Sequence, residues 1–287
     1  MKLTQADIEK WILESATGVF HYTKVMDGQI DKSLYPQLRN VMQRLKTKGV
    51  CVPVPSKGDG WWRASDNELE ELQWWESEDI KDNNIILPLE INKYCIIPRP
   101  SLIIVAGKYN AGKSTFCMNT VMLNQEKWGG ELDFYVSEGA EMLKSKFARL
   151  GLKDAPSFRT YRRTENFADV INPDGLSVID YLRVDMEQSY AVSGKLFEIF
   201  KKLRTGIAVV AMQKPPGERK LAFGGASTAF EPSLYIGMDS NGNNTGWIGF
   251  EKVKIPRLYG GVDPHSMKIE YRIRNGVEFY DVKEKIE

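Results

Sequence analysis

The stretch Leu102-Ile103-Ile104-Val105-Ala106-Gly107-Lys108-Tyr109-Asn110-Ala111-Gly112-Lys113-Ser114-Thr115 decides the fold. Its first five residues are apolar and mostly β-branched, which predicts a buried strand. The next eight, Gly107 to Ser114, fit the pattern G-x-x-x-x-G-K-[ST], and Thr115 to Gln125 follows as a helix-compatible run. Strand, glycine turn and helix start form the setting in which this pattern closes main-chain N–H groups around phosphate oxygens. On this reading Gly107, Asn110, Ala111, Gly112, Ser114 and Thr115 cradle phosphate. Lys113 reaches the outer phosphates, and the Ser114 hydroxyl ligates Mg2+. ATP and Mg2+ are the cofactors expected.

Working outward toward the C-terminus, three more apolar runs end in polar residues. Leu132 to Ser137 ends at Glu138, and a helical stretch carrying Leu143, Phe147 and Leu150 follows. Leu176 to Ile179 ends at Asp180-Tyr181-Leu182, and Ile207 to Met212 ends at Gln213. Strands alternating with helices, such as the one expected over Lys195 to Arg204, specify an α/β fold. Its central sheet should be mostly parallel, with the ligand at the strands' C-terminal edge.

The order phosphate loop, strand-Glu, strand-Asp, strand-Gln resembles the RecA-like ATPases, most closely the branch of DnaB-type helicases, RadA and KaiC. The likeness covers residues of about 98 to 275. It implies that Asp180 holds the Mg2+ water shell, Glu138 orients the attacking water and Gln213 senses the γ-phosphate. In that family the segment after the glutamine faces a channel or filament axis, so Lys214, Arg219 and Lys220 are expected to meet single-stranded DNA. A Lys-x-Arg near the end of a later strand reaches the neighbouring subunit's nucleotide. Here that strand, Trp247 to Glu251, runs into Lys252-Val253-Lys254, with Arg257 as a substitute for the missing arginine. Lys252 and Lys254 are therefore the expected trans-acting residues, and a homo-oligomeric ring or filament is implied.

Toward the N-terminus, Ile8, Trp11 and Ile12 recur at helical spacing behind Thr4 and Asp7, predicting a helix over about 5 to 15. A short second helix is expected near His21 to Met26. A third, capped by Ser33, carries Leu34, Leu38, Val41, Met42 and Leu45 on one face and ends before Gly49. Val50 to Val54 and Trp61 to Arg63 then make a two-stranded ribbon with a basic tip at Lys57. This order resembles a winged helix-turn-helix domain, which implies duplex DNA contact through Arg39, Asn40, Gln43, Arg44 and Lys57. A winged helix serving protein contacts is the alternative.

The 287 residues carry 39 basic and 38 acidic side chains, so no global field marks a nucleic-acid partner. The charge is unevenly spread: residues 1 to 63 are net +4, 64 to 97 net −7, and the remainder net +4. We read 1–63 as a small α+β winged-helix domain, 64–97 as an acidic linker containing a turn at Lys81 to Asn84, and 98–287 as the ATPase domain. Two histidines and the three scattered cysteines (Cys51, Cys95, Cys117) exclude a histidine-built metal site and a disulfide framework. No apolar run approaches membrane-spanning length, and a cytoplasmic location is expected. The function expected is an oligomeric, DNA-binding ATPase, a motor or switch in replication, recombination or repair. The alternative is a KaiC-like or regulatory ATPase whose N-terminal domain reads an operator or a protein.

Overall fold

The computed structural model describes residues 4–28, 30–67, 69, 71, 73–76, 79–80, 85–183, 191–217, 220–257 and 259–286. The turn expected at 81–84, most of the segment after Asp180 (184–190) and Arg219 lie outside the described residues. The chain folds as two units, Met1–Glu78 and Asp79–Glu287.

In the first unit, helix α1 (Gln5–Glu14) starts at a capping box: the Asp7 N–H donates to the Thr4 hydroxyl, and the Asp7 carboxylate accepts from the Thr4 N–H. Strand β1 (Val19–His21), helix α2 (Tyr35–Thr47), and strands β2 (Cys51–Pro53) and β3 (Trp61–Ala64) follow. The strands form an antiparallel sheet of order β1-β3-β2. Ile8 and Ile12 of α1 and Leu38, Met42 and Leu45 of α2 bury against Trp62. Three details differ from the sequence reading. The ribbon gains a third strand, β1, and the second helix is a 3-10 segment over Tyr22–Gly28. Asp31, not Ser33, does the capping: its carboxylate accepts from the Ser33 N–H at 2.9 Å and starts a 3-10 turn. Helix α2 begins only at Tyr35, with Pro36 in its first turn, where a missing N–H costs nothing.

The second unit is built on one nine-stranded sheet. Its strands are β4 (Ser101–Gly107), β5 (Leu132–Val136), β6 (Arg159–Arg162), β7 (Leu176–Asp180), β8 (Ile207–Gln213), β9 (Leu234–Gly242), β10 (Thr245–Val253), β11 (Met267–Arg274) and β12 (Glu278–Ile286). Their order is β12-β11-β10-β9-β4-β8-β7-β5-β6. Neighbours from β9 through β6 run parallel, and β9 to β12 pair antiparallel. Helices α3 (Lys113–Trp128), α4 (Ala140–Arg149) and α5 (Val192–Lys202) supply the layers. Along β4, Ile103 and Val105 bury with Phe116 of α3 and Phe147 of α4. Leu102, Ile104 and Ala106 bury with Leu196 and Ile199 of α5 on the opposite face. Burial on both faces explains why the strands read as unbroken apolar runs.

The large unit's core begins before residue 98. Ile85, Leu87, Ile91, Tyr94, Cys95 and Ile97, placed by charge in the linker, all pack into it. Acidic charge marks the chain only as far as Asp79; the apolar residues beyond it follow the hydrophobic effect into the core. No helix among the described residues is long and apolar enough to cross a membrane.

Candidate functional site

The parallel strands β4, β8 and β7 bring their C-terminal ends to one edge of the sheet. There Lys113, Ser114, Asp180 and Gln213 line a cleft of about 780 Å3. Gly107 ends β4 where the chain turns under the Lys113 side chain. A Cβ at this position would lie 2.8 Å from Lys113 Cγ, so only glycine lets the loop close. Gly112, at φ 89°, reverses the chain into α3. The first-turn N–H groups of α3 have no intrahelical acceptor and lie at the positive end of the helix dipole.

The Lys113 ammonium donates to the Gly107 and Lys108 carbonyls at 3.0 and 2.8 Å and to Gln213 Oε1 at 3.0 Å. It is thus coordinated by neutral oxygens, and burial pushes its pKa down to about 8, opposed by the Asp180 carboxylate. The Ser114 hydroxyl donates to Asp180 Oδ1 at 3.1 Å. Burial lifts the Asp180 carboxyl to about 6; the Ser114 bond opposes this, and the nearby Glu138 carboxylate adds to it. A half-buried ammonium and a buried carboxyl, each short of an opposite charge, suit a ligand bringing both a polyanion and a cation. No group of three or more acidic, histidine or cysteine ligands occurs among the described residues. Mg2+ at Ser114 and Asp180 would accordingly take most of its oxygens from phosphate and water, as this ion commonly does.

Glu138 follows β5 and reaches the electrostatic neighbourhood of Asp180, but its carboxylate is held by Lys146 of α4 at 2.5 and 2.7 Å. Nothing in the spacing of the sequence flagged Lys146. Strand β9 and its turn into β10 supply lining residues that the motif reading also missed, Ser240, Asn243 and Asn244. The Asn-Asn pair is a legible turn signal, yet its position over the cleft is set by sheet topology alone.

Two of the expected basic contacts are corrected. Lys214 is buried: its ammonium donates to Asp239 Oδ2 at 2.9 Å, and Lys108 lies 3.2 Å from the other oxygen. It follows β8 into the interior between neighbouring strands, and a paired, buried lysine cannot meet DNA phosphate. Lys252, half-buried, donates to the Ala229 and Phe230 carbonyls at 2.7 and 3.0 Å and so is committed within its own chain. Lys254, just past β10, is exposed, as is Lys220.

In the first unit Arg39, Asn40, Gln43 and Arg44 are exposed along α2, and Lys57 is exposed on the β2–β3 connection. Arg39 pairs with Asp59 of that connection at 3.2 Å and sits over the Tyr22 ring.

No protein-family model and no curated protein sequence matches the chain. Among solved structures, that of a KaiC-like protein from the hyperthermophilic archaeon Pyrococcus horikoshii OT3 matches with a TM-score of 0.49 and 20% identity, over 70% of this chain and 99% of that chain.

Proposed function

We propose that the chain is a Mg2+-dependent ATPase of the RecA-like class, acting as an oligomeric switch or motor with a DNA-contacting N-terminal unit. One observation carries this reading. A strand-turn-helix phosphate loop delivers Lys113 and Ser114 to the same cleft as Asp180 and Gln213, with the lysine half-buried and the aspartate buried, neither fully charge-compensated. The order of parallel strands that brings these four together supports the class.

In this reading the α3 N–H groups and Lys113 bind the phosphate oxygens, and Ser114 and Asp180 hold Mg2+ and its water. Held there, the ion would supply positive charge against the charge that develops on the phosphate oxygens. Glu138, once released by Lys146, orients a water toward the terminal phosphorus. A bond forms from that water's oxygen as the bridging P–O bond breaks. Gln213, already bonded to Lys113, reports the terminal phosphate to the β8 strand end. Lys254, exposed just past a strand end, is the residue left to reach a neighbouring subunit in this reading, since Lys252 holds its own turn.

The helix-strand-helix-strand-strand order of the first unit supports a winged helix, with the exposed α2 face as its nucleic-acid surface. A second reading, a KaiC-like regulator in which nucleotide gates assembly, is favoured by the burial of Lys214, which removes one basic residue from the expected single-stranded DNA loop. ATPase activity measured without DNA, with single-stranded DNA and with duplex, beside particle size with and without ATP, separates the two. DNA-stimulated turnover supports the motor; turnover indifferent to DNA with ATP-dependent assembly supports the regulator; no hydrolysis under any condition rejects both.

A further inference from the structure

The phosphate-binding end of the cleft is accounted for by Lys113, Ser114, Asp180 and Gln213. Residues of two hairpin turns, Asn243, Asn244 and Gly276, line the same cleft. The β9–β10 turn is Asn243-Asn244, flanked by the paired residues Gly242 and Thr245, with φ of 50° and 56° at the two asparagines. Two consecutive positive φ values make the tight two-residue turn that matches strand twist. The β11–β12 turn runs through Asn275 and Gly276.

Both turns are tied to the phosphate loop and to α3. Tyr271 of β11 donates its hydroxyl to the Ala111 carbonyl at 2.6 Å. Two residues along the same strand, the Ile273 N–H donates to the Asn244 carbonyl at 2.7 Å. Thr115 of α3 donates to the Gly276 carbonyl at 3.1 Å, and the Asn119 amide donates to the Val277 carbonyl at 2.7 Å.

The side-chain amides of Asn243 and Asn244 are exposed in this cleft, and neither makes a hydrogen bond to the described residues. Positive φ accounts for asparagine in such a turn, but glycine would satisfy the backbone equally well. An amide offers one donor group and one acceptor side by side, the complement of adenine's amino group and its adjacent ring nitrogen.

We propose that the Asn243-Asn244 turn, held over the cleft by β11, is the subsite for the base of the bound nucleotide, and that the two amides recognise its amino and ring-nitrogen edge. This rests on the phosphate-site reading above and extends it to the nucleoside half. The subsite is pre-organised, since main-chain bonds and not the amides hold the turn in place.

The test is equilibrium binding of Mg2+-ATP and of Mg2+-tripolyphosphate to the full chain and to the double variant Asn243→Gly/Asn244→Gly. Glycine keeps the positive φ and the Ile273 bond while deleting both amides. ATP affinity should fall about tenfold, tripolyphosphate affinity should stay within about twofold, and the melting temperature should be unchanged. Asn243→Gly and Asn244→Gly taken singly, which keep the turn and add no charge, should each weaken ATP in the same selective way. Equal loss for both ligands, or no loss for ATP, overturns the proposal. Tripolyphosphate binding as tight as ATP binding in the unaltered protein removes the base subsite but leaves the phosphate site standing. Binding of neither ligand rejects the phosphate site, and the base subsite with it.

Discussion

Lys146 of α4 donates to both carboxylate oxygens of Glu138, at 2.5 and 2.7 Å, with each side chain about a quarter exposed. One ammonium bonded to both oxygens takes one lone-pair site on each and fixes the orientation of the Glu138 carboxylate, so a water must use the sites that remain. Glu138 and Lys146 both act electrostatically on Asp180, in opposite directions.

Removing this restraint should speed basal hydrolysis. A partly exposed ion pair is worth at most about 1 kcal/mol, so Lys146→Met should raise ATP turnover by no more than about fivefold. Phosphate release at saturating ATP checks this, and a fall in turnover would mean that Lys146 holds Glu138 in its working orientation instead.

Binding and chemistry should separate at Lys113 and Glu138. Lys113→Ala removes the ammonium proposed to meet the phosphates and should abolish measurable ATP binding. Glu138→Gln should keep nucleotide and lose about 10²–10³ in turnover, the cost of deleting one group that acts on the transition state. Calorimetric titration beside phosphate release distinguishes the two.

Lys252 and Lys254 should behave differently although they are two residues apart. Lys252→Ala leaves the Ala229 and Phe230 carbonyls without a donor and should lower the melting temperature. Lys254→Ala should leave stability unchanged and suppress hydrolysis. Mixing Lys254→Ala with Glu138→Gln chains should restore partial activity. If both assemble and exchange yet remain inactive at every ratio, Lys254 does not act on a neighbouring subunit.

Lys214 should matter for stability and not for DNA. Breaking a buried ion pair costs about 3–5 kcal/mol, and Lys214→Met should fall at the low end because Lys108 still faces Asp239. A loss of about 3 kcal/mol corresponds to roughly 6–12 °C in a unit of this size. Lys220→Ala, at an exposed site, should leave the melting temperature unchanged in the same scan.

Duplex affinity should depend more on Arg44 than on Arg39. Arg39 is already engaged by Asp59, whereas Arg44 is exposed with no acidic partner among the described residues. Arg44→Ala should weaken binding at all sequences and reduce the salt slope by about one. Fluorescence anisotropy at several salt concentrations measures both, and equal loss from the two variants would show that the Asp59 pair does not restrain Arg39.

The α/β character and the phosphate loop were legible because they are local. Apolar runs of strand length, the glycines at 107 and 112, and polar residues at the strand ends follow from periodicity and backbone sterics within a few positions. Helix starts were less legible: Ser33 looked like a cap, but Asp31 caps a 3-10 turn and α2 begins at Tyr35 with no side-chain cap, because competing side-chain acceptors differ by little. The domain edge was blurred for a related reason, since charge composition marks the acidic stretch and says nothing of Ile85 or Tyr94 finding a core.

The sequence by itself singled out Lys113, Ser114, Asp180 and Gln213, each set at a strand end or helix start by its own neighbours in the chain, and the four line one cleft. Only the tertiary structure decided which charges are free to act. It buried Lys214 beside Asp239, bound Lys252 to its own turn, closed Lys146 onto Glu138 and brought Asn243 and Asn244 over the cleft. The availability of a charged or polar group depends on burial and on partners brought near from distant positions, and strand order, which no local pattern encodes, settles both.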